Sequence, residues 1–261
     1  KRLVSFIGSS AYKVTISTFH SFCNDIIQDN LSLFDKTSLD PISELEKIEL
    51  LKKLIDGFEK NNPLKRYRGD VYFEMSNLAK LFSAMKKEGW TSQYLIERID
   101  AYIQEIPFRD EFIYKRKYKQ FEAGALKQGL VDVELEKMSK LKAAVNCFDI
   151  YQELMKSHNR YDFDDMINWV LKAFNENKNL LAQYQERYLY ILVDEFQDTS
   201  GTQNALIKLL VNYWEQPNLF VVGDDDQSIF RFQGANVENM LHFQHDYAEE
   251  VLMIVLENNY R

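Results

Sequence analysis

Between Leu189 and Val193 five apolar residues follow one another, and the run stops at two adjacent carboxylates, Asp194 and Glu195. Such a run predicts a strand buried on both faces. Runs at 219–223 (Leu-Phe-Val-Val-Gly) and 251–256 (Val-Leu-Met-Ile-Val-Leu) predict two more strands, with helices near 202–214 and 236–248 between them. Strand–helix–strand alternation implies a parallel sheet with right-handed crossovers, flanked by helices. Near the amino end, Val14-Thr15-Ile16-Ser17-Thr18 predicts a further strand, leading into a helix that holds Cys23, Ile26 and Ile27.

From about residue 27 to 159 the apolar period lengthens to that of a helix. Ile48, Leu51, Ile55 and Phe58 share one face, and Leu78, Leu81, Phe82 and Met85 another. Phe108, Phe112 and Tyr118 open a third pattern. Leu135, Met138, Leu141, Val145, Phe148 and Tyr151 form a long fourth. Gly57, Pro63, Gly89, Pro107 and Gly129 punctuate these stretches. The simplest architecture is an α/β sheet domain built from residues 1–26 and 160–261, interrupted by an all-helical insertion over 27–159.

Composition narrows the class. A hydrophobic fraction of 46% with only nine Gly and four Pro describes a folded chain rich in long helices. The net charge of −8 argues against a broadly basic nucleic-acid coat and leaves room for a local basic groove. Cys23 and Cys147 match no metal spacing, so both are expected as reduced, buried thiols of a cytoplasmic protein. No signal peptide and no apolar run near membrane-spanning length is present, which argues against secretion and a membrane partner. The chain begins at Lys1 and stops at Arg261 directly after a strand pattern. The expectation is a monomeric piece of a larger polypeptide.

Five segments carry candidate chemistry, and four of them start where a predicted strand ends, the place where parallel sheets hold ligands. In Asp194-Glu195-Phe196-Gln197-Asp198-Thr199, Asp194 is the metal-ligand candidate and Glu195 the general-base candidate. The plainer alternative is an acidic turn that caps a helix starting near Ser200. In 222–235, Gly223 lets the chain turn at the strand end, and Gln227 can report on a terminal phosphate. Phe230 and Phe232 alternate with Arg231, a pattern suited to stacking unpaired bases. Thr18-Phe19-His20-Ser21-Phe22 places a histidine among aromatics. Arg261 follows a strand end and can reach developing phosphate charge. In Tyr161-Asp162-Phe163-Asp164-Asp165, Asp162 can cap a helix and Phe163 can pack it.

Taken in order, these segments resemble the superfamily 1 DNA helicases of the UvrD/Rep/PcrA type. Thr-Phe-His-Ser-Phe, Asp-Phe-Asp-Asp, Val-Asp-Glu-Phe-Gln-Asp-Thr, Val-Gly-Asp-Asp-Asp-Gln-Ser-Ile-Phe and Asn-Tyr-Arg carry the resemblance, over residues 1–25 and 160–261. It implies a partial RecA-like P-loop NTPase motor domain with the helical middle as its inserted subdomain. By the same resemblance Asp194 would bind Mg²⁺, Glu195 would activate water, and Gln227 and Arg261 would sense the γ-phosphate of ATP. Thr18, His20, Phe230 and Phe232 would line a track for single-stranded DNA, along which the motor moves 3′ to 5′ toward a duplex junction. The family usually has Tyr, Trp and Arg where Phe230, Phe232 and Gln233 stand. Ring faces survive those changes, whereas the charge of the Arg does not.

No Gly-x-x-x-x-Gly-Lys-Thr phosphate loop occurs in these residues. Without its backbone N–H groups, the 261-residue chain alone is expected to bind ATP poorly and not to hydrolyse it. Two other classes compete with the motor. One is a metal-dependent nuclease using Asp194, Glu195, Asp224 and Asp225. The other is a DNA-binding scaffold that does not hydrolyse nucleotide. Two basic clusters in the helical middle, Lys60 to Arg68 and Tyr114 to Lys119, interleave tyrosines. They face either DNA or solvent, the second being balanced by Asp110, Glu111 and Glu122.

Overall fold

The computed structural model describes residues 2–34, 40–118, 121–224, 243, 245, 247 and 251–255. It is a mixed helix and strand protein that divides into two compact units, residues 1–34 with 167–261, and residues 35–166.

The second unit is helical. Its elements are β1 (Asp40–Pro41), α4 (Glu44–Asp56), α5 (Met75–Glu88), α6 (Ser92–Glu105), α7 (Gln128–Ser157) and β2 (Arg160–Tyr161), with α8 (Phe163–Glu176) beginning at its end. α7 has 30 residues, about 45 Å of helix. Leu50, Leu51, Leu54 and Ile55 of α4, Leu78, Phe82 and Met85 of α5, Ile99 of α6, and Val145, Phe148, Tyr151 and Met155 of α7 close one core. The α4 stripe is therefore shifted from the predicted one: Ile48 is exposed, and Leu50 and Leu54 take its place. Gly89 ends α5 at φ +67°, as its punctuating position suggests. Gly129 does not interrupt; it lies in the first turn of α7. α6 is not among the predicted helices, and the predicted third helical pattern is absent. Residues 106–108 and 110–112 form short 3₁₀ turns, followed by antiparallel bridges Ile113–Leu126 and Tyr118–Phe121. Pro107 sits just beyond α6 and cannot donate the hydrogen bond that would continue it. β1 and β2 pair in parallel, Asp40 with Arg160 and Pro41 with Tyr161.

A buried ammonium anchors this unit. Lys86 on α5 is 3% exposed and lies 2.7 Å from the Asp162 carboxylate and 2.9 Å from that of Asp165. The two acids also cap α8 reciprocally: Asp165 N–H donates to Asp162 Oδ1 at 3.1 Å, and Asp162 N–H donates to Asp165 Oδ2 at 2.9 Å. Asp162 thus caps as expected, whereas Phe163 is exposed and does not serve as the packing residue. Burial raises the Asp162 carboxyl above its ordinary value despite the ammonium beside it.

The first unit holds α1 (Arg2–Ile7), α2 (Phe19–Asp29), α3 (Leu31–Phe34), most of α8, α9 (Lys178–Arg187), β3 (Ile191–Val193), α10 (Gly201–Val211) and β4 (Leu219–Val221). β3 and β4 pair in parallel, Ile191 with Leu219 and Val193 with Val221. Val193, Phe196, Ile207 and Val211 form the core under this pair, with Phe19, Ile191, Leu219 and Val221 against it. The strand–helix–strand order and its parallel pairing agree with the sequence pattern.

The extent of the strands does not. β3 is three residues long and buried on one face only, with Leu192 71% and Phe220 57% exposed. α10 and Phe19 of α2 pack on one face of the pair, and the alternate side chains Leu192 and Phe220 point outward. Residues 14–18 are exposed and lack a ladder partner among the described residues, so they form no strand there. Residues 251–255 likewise form no strand, and 256 lies outside the described residues, as does most of the predicted 236–248 helix. Cys23 and Cys147 are free and buried, and burial pushes their thiols up to about 12 and about 11. No helix among the described residues is long and apolar enough to cross a membrane.

The buried ammonium and the Glu46 cap can both be tested by unfolding. Lys86→Met strands two carboxylates and is expected to cost roughly 3–5 kcal/mol in urea unfolding; a loss below about 1 kcal/mol would show the cluster to be dispensable. Glu46 accepts from Ser43 N–H and Oγ and from Arg160 Nε, at 2.9, 2.7 and 2.8 Å, and its carboxyl is lowered to about 2 from 4.5. A depressed acid stabilises above its unfolded value, and that stability drains as pH falls through the folded value. Thermal melting of wild type should therefore drop more steeply than that of Glu46→Gln between pH 4.5 and about 2. Parallel pH profiles would contradict this.

Candidate functional site

Among the described residues, the Asp194–Thr199 segment and residues 222–224 meet at the carboxyl ends of β3 and β4. Asp194 and Glu195 follow β3 directly and are exposed. The ladder continues past the strands: Val222 N–H donates to Val193 carbonyl at 2.9 Å, and Phe196 N–H to Val222 carbonyl at 2.9 Å. The chain crosses this corner by placing Glu195 at φ 50°, ψ 46°. A left-handed conformation costs a non-glycine residue on the order of 1–3 kcal/mol, and it persists where surroundings over-determine it. Gly223, expected to make the turn at β4, does not adopt positive φ.

Gln197 supplies the determining contacts. It is 1% exposed. Its Nε2 donates to Glu195 Oε2 at 2.7 Å, and its Oε1 accepts from Asp224 N–H at 3.1 Å. One buried amide therefore ties the carboxylate after β3 to the backbone after β4. An amide suits this position because it donates and accepts at once. Asp194 Oδ1 accepts from Glu195 N–H at 3.0 Å, which turns its carboxylate back over the corner. The sequence pattern by itself assigns Gln197 no role. The available signal is a polar, uncharged residue flanked by Phe196 and followed by Thr199, in a segment that must re-enter the core.

The acids do not cap the next helix. α10 is capped by Ser200, whose Oγ accepts from Gln203 N–H at 3.4 Å while Gln203 Oε1 accepts from Ser200 N–H at 3.1 Å. Thr199 Oγ1 donates to Phe196 carbonyl at 2.6 Å. The cap is thus filled independently, and Asp194 and Glu195 remain available to solvent.

Thr18 and His20 come to the same region through α2. Thr18 is its N-cap, the hydroxyl accepting from Ser21 N–H at 3.2 Å. Phe19 packs on the Val193–Phe196 cluster, so a motif some 170 residues away in sequence touches the acidic corner. Gln227, Phe230, Phe232 and Arg261 lie outside the described residues. Among the described residues no group of three or more His, Cys, Asp or Glu side chains is placed to hold a metal ion.

The described part of this unit is thus a parallel strand pair with carboxylates after its tips, a left-handed Glu195 held by the buried Gln197 amide, and a helix capped by Thr18. The chain belongs to the UvrD/REP helicase N-terminal domain family, which it matches over residues 1–248. It is 28% identical to the ATP-dependent DNA helicase PcrA of Bacillus subtilis over 264 residues, covering 100% of this chain and 29% of that protein. It is 29% identical to DNA helicase II of Rickettsia typhi over 257 residues, covering 97% of this chain and 32% of that protein. A 111-residue stretch is 44% identical to PcrA of Staphylococcus epidermidis, covering 42% of this chain and 15% of that protein. The chain spans about a third or less of the length of these relatives.

Replacing Gln197 with Met keeps the volume and removes both hydrogen bonds. The Asp224 N–H loses its partner, and unfolding free energy should fall by roughly 1–3 kcal/mol. A change under about 0.5 kcal/mol in urea denaturation would show that the amide does not hold the corner.

Proposed function

We propose that this chain belongs to the first motor domain of an ATP-dependent DNA helicase that moves 3′ to 5′ on single-stranded DNA and separates duplex ahead of it. In this reading residues 1–26 and 160–261 form a RecA-like domain, and residues 27–159 its helical insertion. The observation that supports it best is the corner where Gln197 binds Glu195 and the strand tip at Asp224 together. The names of the relatives, all ATP-dependent or DNA helicases, support the substrate classes.

The residues present suit Mg²⁺ and ATP. Mg²⁺ is commonly held by one or two carboxylates, with phosphate and water completing its shell. Asp194, exposed at a parallel strand's carboxyl end, fits that role without a dedicated acidic cage. When bound, the metal and nucleotide supply a phosphoryl group whose negative charge is partly neutralised. The chain's residues would do the rest. Glu195 accepts a proton from the attacking water. Gln197 holds that carboxylate so that it need not reorganise in the reaction. Gln227 and Arg261 would contact the terminal phosphate. Thr18, His20, Phe230 and Phe232 would contact single-stranded DNA, the rings by stacking. Since Thr18 already caps α2, its share is to fix the helix end that presents His20. The free, buried thiols of Cys23 and Cys147 suit a reducing compartment such as the cytoplasm.

Glu195→Gln in the intact protein tests the assignment. DNA-stimulated ATP hydrolysis should fall by about 10²–10⁴-fold, as expected for loss of a general base, with nucleotide affinity nearly unchanged. Hydrolysis at the parental rate would remove Glu195 from that role.

A further inference from the structure

The Glu195 carboxylate is held at one of its two oxygens. Its backbone is fastened first. Glu195 N–H donates to Asp194 Oδ1 at 3.0 Å, and Asp198 N–H donates to the Glu195 carbonyl at 2.9 Å. The next residue, Phe196, donates its N–H to the Val222 carbonyl at 2.9 Å. These bonds hold the left-handed φ of 50° and leave the exposed side chain to be steered from its tip. Among the described residues, Gln197 is the side chain that steers it, through Nε2 donating to Oε2 at 2.7 Å.

The direction of that amide is not free. A backbone N–H can only donate, so the Asp224 N–H at 3.1 Å must meet the amide oxygen. Nε2 is thereby turned toward Glu195 and presents a hydrogen to Oε2. Gln197 is 1% exposed, so water competes poorly for either bond. Oε2 is occupied as an acceptor, whereas Oε1 has no bond to protein among the described residues.

We infer that Gln197 is a positioning residue that gives the base function to Glu195 Oε1 and ties its place to the backbone after β4. This rests on the reading of Glu195 as the general base. In the step it serves, Glu195 Oε1 takes one proton of the attacking water. The water's oxygen bonds the terminal phosphorus while the bond to ADP breaks, its electron pair leaving with ADP. Gln197 keeps its hydrogen on Oε2 throughout, so the carboxylate does not turn as it is protonated. Because the Asp224 N–H fixes the amide, a displacement of that strand end is carried to the base.

Two substitutions in the intact protein separate this role from simple support of the fold. Gln197→Met removes the donor. The kcat of DNA-stimulated ATP hydrolysis should fall by about 10²-fold, the scale of a misplaced catalytic group, with KM for ATP nearly unchanged. Gln197→Glu keeps the shape and the acceptor for Asp224 N–H, but sets a second carboxylate across the 2.7 Å that the amide spans. Carboxylates so close share one proton, and that proton takes the place of the amide hydrogen. The folded pair holds the proton at a pH where the unfolded chain has lost it. Its contribution to stability is therefore present at low pH and drains as pH rises. Without nucleotide, the melting temperature of Gln197→Glu should approach the parent's near about pH 5 and fall below it toward about pH 8. Its hydrolysis relative to the parent should decline over the same range.

A melting difference that does not change with pH, or a parental kcat in Gln197→Met, overturns the positioning role. Should Gln197→Met not fold, the Gln197→Glu profile alone decides. Parental hydrolysis by Glu195→Gln removes the base reading and this inference with it. An inactive Glu195→Gln beside Gln197 variants that behave as the parent overturns this inference alone.

Discussion

The parallel pairing of β3 with β4 is the constraint on which the proposed chemistry depends. It sets two strand ends side by side and lets one buried side chain, Gln197, reach both. A buried amide left unbonded costs free energy, so the corner is stable only when Glu195 and the Asp224 N–H are where they are. The left-handed conformation of Glu195 is a cost of that geometry, offset by the ladder continuing through Val222 and Phe196. The general-base candidate is thus held by a polar latch instead of an ion pair, and its carboxylate stays accessible to solvent.

How much of this is legible in the sequence differs by element. The alternation of strand and helix around α10, the acids at the strand end and the Asp162 cap can be read because each is a local signal: an apolar run, a tip charge, a capping residue. That β3 is buried on one face only cannot be read, because burial depends on what covers Leu192 and Phe220, not on their own hydrophobicity. Val14 to Thr18 has strand character in its β-branched residues, yet a strand exists only with a ladder partner. Gln197 is hidden for the same reason: its two partners are set by the pairing of segments 27 residues apart.

The helical unit shows the same division. Only the carboxyl half of the α7 face, Val145, Phe148 and Tyr151, is visible from its period, since Leu135 and Leu141 are exposed; the Lys86 cluster joins residues 76 and 79 apart along the chain, which no local pattern encodes. Phe108, Phe112 and Tyr118 mimic helical spacing although Pro107 and the pairing of Tyr118 with Phe121 turn that stretch into a hairpin. The folded-back form is what brings Tyr114 parallel to Tyr118 and to Phe121.

The central claim is that both acidic tips serve one magnesium–nucleotide pocket. Manganese substituted for magnesium, with a non-hydrolysable ATP analogue on the intact protein, reports this through paramagnetic broadening of nearby amide resonances. The account predicts that the amides of Asp194 to Gln197 and of Gly223 and Asp224 broaden together. Broadening confined to one strand tip, or absent from both, would contradict it.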